Sequence, residues 1–225
     1  MTPAPSTAPQ EAGSARRSYV RGMFSAIAPR YDLLNHALSL NTDRRWRRQA
    51  VNALGWQSAP SGTYLDLCAG TLDLSVELVR RPGFTRKAPE VQVLGADALE
   101  LPFAQRTFDG CMVAFGVRNL VDLDRGLGEI ARVLKPGARA VILDFAFPAA
   151  WPLKPLYLFY FRRVLPRIGR LVSKHTSAYQ YLPDSVAEFP SPEALCDRMV
   201  AAGFSRVAFQ RLTFGIATLV WGLKA

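Results

Sequence analysis

Residues 108–145 read FDGCMVAFGVRNLVDLDRGLGEIARVLKPGARAVILDF, which spells strand, loop, helix, turn and strand in that order. Cys111 to Phe115 is a short apolar run suited to a strand buried on both faces, and Gly116 lets the backbone turn where the strand ends. From Asp122 to Leu134 the residues Leu123, Leu127, Ile130, Ala131 and Leu134 recur at helical spacing. Asp122 and Asp124 stand at the positive end of the helix dipole, Arg132 and Lys135 at the other. Pro136-Gly137 stops that helix, and Ala140 to Phe145 reads as the next buried strand. The stretch is therefore half of an open α/β sheet. Ligands of such sheets lie beyond the carboxyl ends of the strands, so Phe115, Gly116, Arg118 and Asn119 are placed to face one.

Working outward, Tyr64 to Cys68 reads as a strand, Asp73 to Arg81 as a helix ended by Pro82-Gly83, and Val91 to Ala96 as a further strand. Pro192 to Ala202 is a helix with Gly203 past its end, and the β runs Val207 to Thr213 and Ile216 to Leu223 finish the chain, about six strands in all. Residues 1–14, rich in Pro, Ala, Ser and Thr, read as a disordered tail, and 15–225 as a single domain. Within it, 15–55 is a helical lid segment broken at Pro29 and at the Ser39 to Thr42 turn, where Thr42 or Asp43 can cap the helix carrying Trp46. Residues 151–190 are a helical, aromatic insertion, and there is no internal repeat.

With 225 residues, 49% of them hydrophobic, the chain can bury one full core. No apolar run approaches the roughly 18 residues that span a bilayer, and the N-terminus lacks a signal-peptide core, so a soluble cytoplasmic protein is expected. Cys68, Cys111 and Cys196 are far apart among apolar neighbours and read as buried free thiols; with two histidines only, no metal is expected. The net charge of +10 favours an anionic partner. Its basic groups, Arg44, Arg45, Arg47 and Arg48 beside Trp46, then Arg162 to Lys174 among many aromatic residues, suit either a solvated basic helix or peripheral contact with an anionic membrane. The aromatic residues do not fall in an RNA-binding strand pattern, so no nucleic acid is expected.

Asp66 to Asp73, DLCAGTLD, is an acidic strand end, a small-residue turn and a helix start, which brings backbone N–H groups close to a ligand. It lacks the three glycines of a dinucleotide fingerprint and the Gly-Lys-Ser/Thr of a phosphate loop, which disfavours NAD and ATP.

Together these stretches resemble a known family. FSAIAPRYDLLNHALSLNTDRRWRR, LDLCAGTLDL, ADALELPF, TFDGCMVAFGVRNL, RVLKPGARAVILDF and LPRIGRLVSKHTSAYQYLPDSV are similar to the ubiquinone/menaquinone biosynthesis C-methyltransferases, class I enzymes dependent on S-adenosylmethionine. The resemblance covers about residues 19–225, and YDxxN and FGxRN are its most specific parts. It implies a Rossmann-like sheet with helices on both faces, an N-terminal helical lid and a helical insertion. Asp66, Ala69, Gly70 and Thr71 would hold the methionine part of S-adenosylmethionine, Asp97 and Ala98 would lie along the adenine, and Ala114 would stand near the cofactor in place of a family serine.

Two further departures stand out. Ala69 and Leu72 occupy family glycine positions, and Leu72 bars easy access to positive φ. The span from Asp73 to Val91 has room for one helix and a loop only, so the sheet is expected to be one strand-helix unit short and to lack the acid that binds the ribose.

The resemblance also implies the chemistry: transfer of a methyl group to a ring carbon of a polyprenyl quinol. Arg118 would stabilise the phenolate, Asn119 would orient the ring oxygen, and Tyr31 and Asp32 of YDxxN would close over the site, Asp32 as a proton acceptor. The alternatives are another small hydrophobic acceptor, or a non-catalytic member that no longer binds the cofactor.

Overall fold

The structure is a computed structural model that describes residues 39, 41–84, 91–148 and 185–225. Tyr31, Asp32, the expected tail and most of the 151–190 insertion lie outside the described residues.

The chain forms α1 (Asp43–Ala53), β1 (Tyr64–Leu67), α2 (Asp73–Val79), β2 (Phe108–Ala114), α3 (Leu123–Val133), β3 (Leu134–Phe145), α4 (Pro192–Ala201), β4 (Phe204–Leu212) and β5 (Ala217–Lys224). The sheet order is β1-β2-β3-β5-β4. β1, β2 and β3 run parallel, and β5 is antiparallel to both of its neighbours.

Alternation along the strands builds two cores. Cys111, Val113, Ala140, Ile142 and Val220 face Leu127 and Ile130 of α3 and Leu195 and Met199 of α4. Met112, Val141, Leu143, Phe145 and Leu219 face Trp46, Ala50 and Val51 of α1 and Leu74 and Leu78 of α2. Helices thus cover both faces, as expected, and the central strands read as near-continuous apolar runs for that reason.

Asp122 stands at the N-terminus of α3 and Gly203 past the end of α4, as expected, and two side chains supply the N-caps. Asp122 accepts from Arg125 N at 2.9 Å, Ser191 accepts from Ala194 N at 3.2 Å, and Gly203 follows α4 at φ 93°. Thr42 holds the N-cap position of α1 but its side chain makes no cap bond; Asp43 is fully buried and accepts from Ser39 Oγ at 2.6 Å.

Four expectations are corrected. Val91 to Ala96 is no strand: it is exposed, with Val93 at 75% and Leu94 at 60%, and the sheet has five strands among the described residues. A strand needs a hydrogen-bonding neighbour, and among the described residues none pairs with the outer side of β1. β3 begins at Leu134, ahead of Pro136-Gly137, because Leu134 already pairs with Phe108; the ladder is irregular before Arg139 pairs with Gly110, and Gly137 sits at φ 77°. Leu72 does take a positive φ, 66°, as the residue before α2. Of the three thiols only Cys111 is buried, and Cys68 is exposed because it lies in the loop beyond β1.

Candidate functional site

The carboxyl ends of β1, β2 and β3 carry two loops that meet. After β1, Cys68, Gly70 and Leu72 all lie at positive φ (57°, 53° and 66°), so the backbone coils tightly before α2. Only one of these is glycine, and each left-handed non-glycine residue costs about 1–2 kcal/mol. After β2, Phe115 at φ 58° leads into a short 3-10 turn, Val117–Asn119. Gly116 is where the loops touch: a Cβ there would lie 2.4 Å from Cys68 Cβ and 2.8 Å from Cys68 Sγ. Only glycine allows that approach.

The acceptor-side loop is held from within. Arg118 Nη1 donates to Asp144 Oδ1 at 2.6 Å and to Phe115 O at 2.7 Å, and Arg118 N donates to Asp144 Oδ2 at 3.3 Å. The guanidinium also lies 5.6 Å from the Phe145 ring centroid. Asn119 Nδ2 points at the same Phe115 carbonyl, at 3.4 Å. Arg118 and Asn119 are thus brought together by one carbonyl and one carboxylate. Asp144 was missed in the sequence; an acid closing the apolar run Ala140 to Leu143 is the signal that marks it, since a charge on a buried strand needs a partner.

Beside these loops, a cavity of about 780 Å³ opens along β1. Asp66, Ala69, Gly70 and Ala98 line it, with Leu72, Ser75, Gln92 to Ala96 and Phe103. Asp66 is the one acid among the described lining residues. Its Oδ2 accepts from Ser75 N at 3.1 Å and Ser75 Oγ at 2.7 Å. Burial pushes its carboxyl up to about 6, against the hydrogen bonds of Ser75 and the charge of Arg47, which pull it down. Ser75, also missed, follows one turn into α2 and locks the acid in place.

The other expected cofactor residues, Thr71, Asp97 and Ala114, lie outside the cavity lining. Thr71 Oγ1 donates to Asp73 Oδ2 at 2.9 Å, and Asp73 pairs in turn with Arg47 of α1, a largely buried cation that lies 5.8 Å from the Phe115 ring centroid. Asp97 turns back on its own loop, its Oδ1 accepting from Leu99 N at 2.9 Å. The stretch after it is stapled to α3: Arg125 Nε donates to Leu99 O, Arg132 to Leu101 O and Phe103 O, and Glu129 accepts from Leu101 N. Ala114 ends β2, pairs in register with Leu143 and packs with the Trp46 core; Thr71, Asp97, Ala114, Arg118 and Asn119 do not line the cavity.

A ligand that is cationic at one end and flat and apolar at the other fits this donor set. Asp66 suits an ammonium, the coiled backbone after β1 admits close approach, and Leu65, Val93 and Phe103 offer apolar walls for a ring. A second acid for ribose hydroxyls does not line the cavity among the described residues.

A sequence profile of the ubiE/COQ5 methyltransferase family matches residues 11–85 and 79–224. The break between the two matches falls in the shortened span before Val91. A demethylmenaquinone methyltransferase of Thermus thermophilus is 48% identical over 217 residues, 88% of this chain and 97% of that protein. The ubiquinone/menaquinone biosynthesis C-methyltransferase of Geobacter sulfurreducens is 44% identical over 233 aligned residues, 91% of this chain and 88% of that protein. That aligned length exceeds the 225 residues of the chain, so the relative carries residues that have no counterpart here. Among solved structures, a SAM-dependent methyltransferase of Thermotoga maritima superposes with a TM-score of 0.61 at 20% identity, over 91% of this chain and 99% of its own. Human N-acetylserotonin methyltransferase, solved with SAM, gives 0.50 at 15% identity, over 90% and 59%. These two establish the class I Rossmann-like fold.

Proposed function

This chain belongs to the ubiE/COQ5 methyltransferase family, and from that premise we propose that it methylates a ring carbon of a polyprenyl quinol, the precursor of menaquinone or ubiquinone. It is an S-adenosylmethionine-dependent C-methyltransferase. The observation that carries the reading is the alignment with the Thermus relative across 97% of that protein.

When bound, S-adenosylmethionine supplies an electrophilic methyl group, and the chain's residues provide position, charge and a dry wall. Asp66 takes the ammonium of the methionine part, with Ala69, Gly70 and Thr71 presenting the loop around it; its fixed hydrogen bonds from Ser75 support that role. Ala98, in the cavity wall, would lie along the adenine, and Asp97 would have to turn from its bond with Leu99 N to reach it. On the acceptor side, the ring carbon is nucleophilic only when the neighbouring hydroxyl carries phenolate character. Arg118 stabilises that charge and Asn119 orients the ring oxygen; the buried Asp144 holds Arg118, and the Phe115 carbonyl is shared by Arg118 and Asn119. Ala114, outside the cavity lining, would offer the cofactor no hydroxyl where a serine would. Tyr31 and Asp32 close over the quinol, Asp32 accepting its proton. The enzyme works in the cytoplasm, in peripheral contact with the inner face of an anionic membrane where the quinol is dissolved. Among the described residues no helix is long and apolar enough to cross it.

The test uses the purified chain with methyl-labelled S-adenosylmethionine and a demethylated quinol. The expected product carries one added ring methyl by mass and fragmentation. Calorimetric titration with S-adenosylhomocysteine is expected to give one site; absence of both heat and methylated product overturns the reading in favour of a non-catalytic member.

A further inference from the structure

Phe214 is the most exposed large apolar side chain among the described residues, at 78%. It forms the tip of the β4–β5 turn, where Thr213, Phe214 and Gly215 lie in succession at φ 44°, 59° and 90°. Such a run disfavours any side chain, and it holds this ring outward. The turn is anchored from both sides: Trp46 Nε1 donates to Thr213 Oγ1 at 2.8 Å, and Ala146 N donates to Ile216 O at 2.9 Å. Because Ala217 pairs with Phe145 at the carboxyl end of β3, the tip stands at the same end of the sheet as the two ligand loops. α1 turns Trp46 inward and presents Arg44, Arg45 and Arg48 to solvent, and no carboxylate pairs with them among the described residues.

We propose that the Phe214 tip and Arg44, Arg45 and Arg48 form the surface by which the enzyme docks on an anionic lipid bilayer. The ring enters the headgroup boundary, and the guanidinium groups bind lipid phosphates. An exposed apolar tip on a turn bonded to α1, with the exposed cations of that helix, fits a membrane interface, where one end of the surface must be apolar and the flank charged. The proposal rests on the reading that the quinol is lipid-borne, and it turns the end of the sheet that carries the two loops toward the lipid.

Sedimentation with phosphatidylcholine vesicles, with and without phosphatidylglycerol, tests it. The chain is expected to bind the anionic vesicles and to be released by salt. Phe214→Gly suits the backbone at 59° and so preserves the turn; it is expected to lower partitioning about tenfold. Changing Arg44, Arg45 and Arg48 to Gln is expected to lower it by about fivefold for each residue. On a short-tailed, water-soluble quinol Phe214→Gly keeps wild-type kcat/KM, while on a vesicle-embedded quinol its rate falls with its binding. A Phe214→Gly protein that sediments like wild type, or a wild type that binds neutral vesicles equally well, overturns the proposal. Methylation of soluble quinol without vesicle binding defeats the surface and leaves the function; vesicle binding without methylation does the reverse.

Discussion

Arg118 and Asp144 form a buried ion pair, Nη1 to Oδ1 at 2.6 Å, with side chains 2% and 3% exposed. Asp144 also accepts from its neighbour Phe145 N at 2.8 Å, so a single carboxylate fixes the end of β3 and the loop after β2. Neutralising one partner leaves the other charge buried and uncompensated, which costs about 3–5 kcal/mol. Asp144→Ala is therefore expected to shift the urea midpoint strongly downward. Arg118→Met with Asp144→Leu recovers most of that stability but leaves methyl transfer lost. Recovery of activity along with stability would contradict a role for Arg118 on the substrate.

The contact between Gly116 and Cys68 makes the two loops interdependent. Gly116→Ala places a methyl 2.4 Å from Cys68 Cβ, and the overpacking is expected to cost about 1–3 kcal/mol and most of the activity. Adding Cys68→Gly removes the opposing atoms and suits the φ of 57° at that position. Thermal melts of the single and double variants are expected to show a coupling well outside additivity.

Leu72, the N-cap residue of α2 at φ 66°, predicts a definite order of substitution. Gly outranks Ala at an N-cap, and left-handed backbone widens the gap, so Leu72→Gly is expected to be more stable than Leu72→Ala by at least about 1 kcal/mol. Denaturant titration of the pair gives the comparison. An Ala variant at least as stable as the Gly one would mean that the loop does not hold this conformation.

Asp66 sets a pH dependence with a definite sign. Its folded pKa, about 6, lies above the ordinary 3.8, so the native state holds the proton more tightly than the unfolded chain. Its contribution to stability is present below 3.8 and is lost as pH rises to about 6, by about 3 kcal/mol. Binding of S-adenosylhomocysteine runs the other way: its ammonium prefers the ionised carboxylate, and affinity is expected to rise through about pH 6. Asp66→Asn keeps the acceptor for Ser75 and flattens both profiles. Calorimetry and melts across pH 4.5–7.5, roughly the range over which such a group titrates, read both.

Much of this was legible in the sequence because local and global signals agree. The acid Asp122 at the start of α3, the apolar stripe of that helix and the apolar strands on either side of it follow from charge placement and periodicity. What stayed hidden depends on partners remote in sequence. Asp144 is 26 residues from Arg118, and nothing local says that the pair closes. Leu134 belongs to β3 through its pairing with Phe108, although the Pro136-Gly137 step reads as a stop. Val91 to Ala96 has strand composition, but a strand is a relation between two segments, and the segment it needs is not beside it. At the cofactor loop the residue types singled out Asp66, which lines the cavity, and the fixed hydrogen bonds of Ser75 could be seen only once α2 was folded against β1.

The sheet ends at β1, a strand that in this fold belongs to the interior, and among the described residues its outer edge pairs with nothing. An interior strand carries none of the lysines, prolines or bulges that natural edges use to refuse company. Tyr64 to Leu67, with the exposed Val93 and Leu94 close by, thus offers a template to any extended chain, including a second copy still leaving the ribosome. The consequence is one of yield more than of catalysis: turbidity on refolding should climb steeply with protein concentration, and a charge set into the edge, Leu65→Lys, should suppress it while the native fold persists.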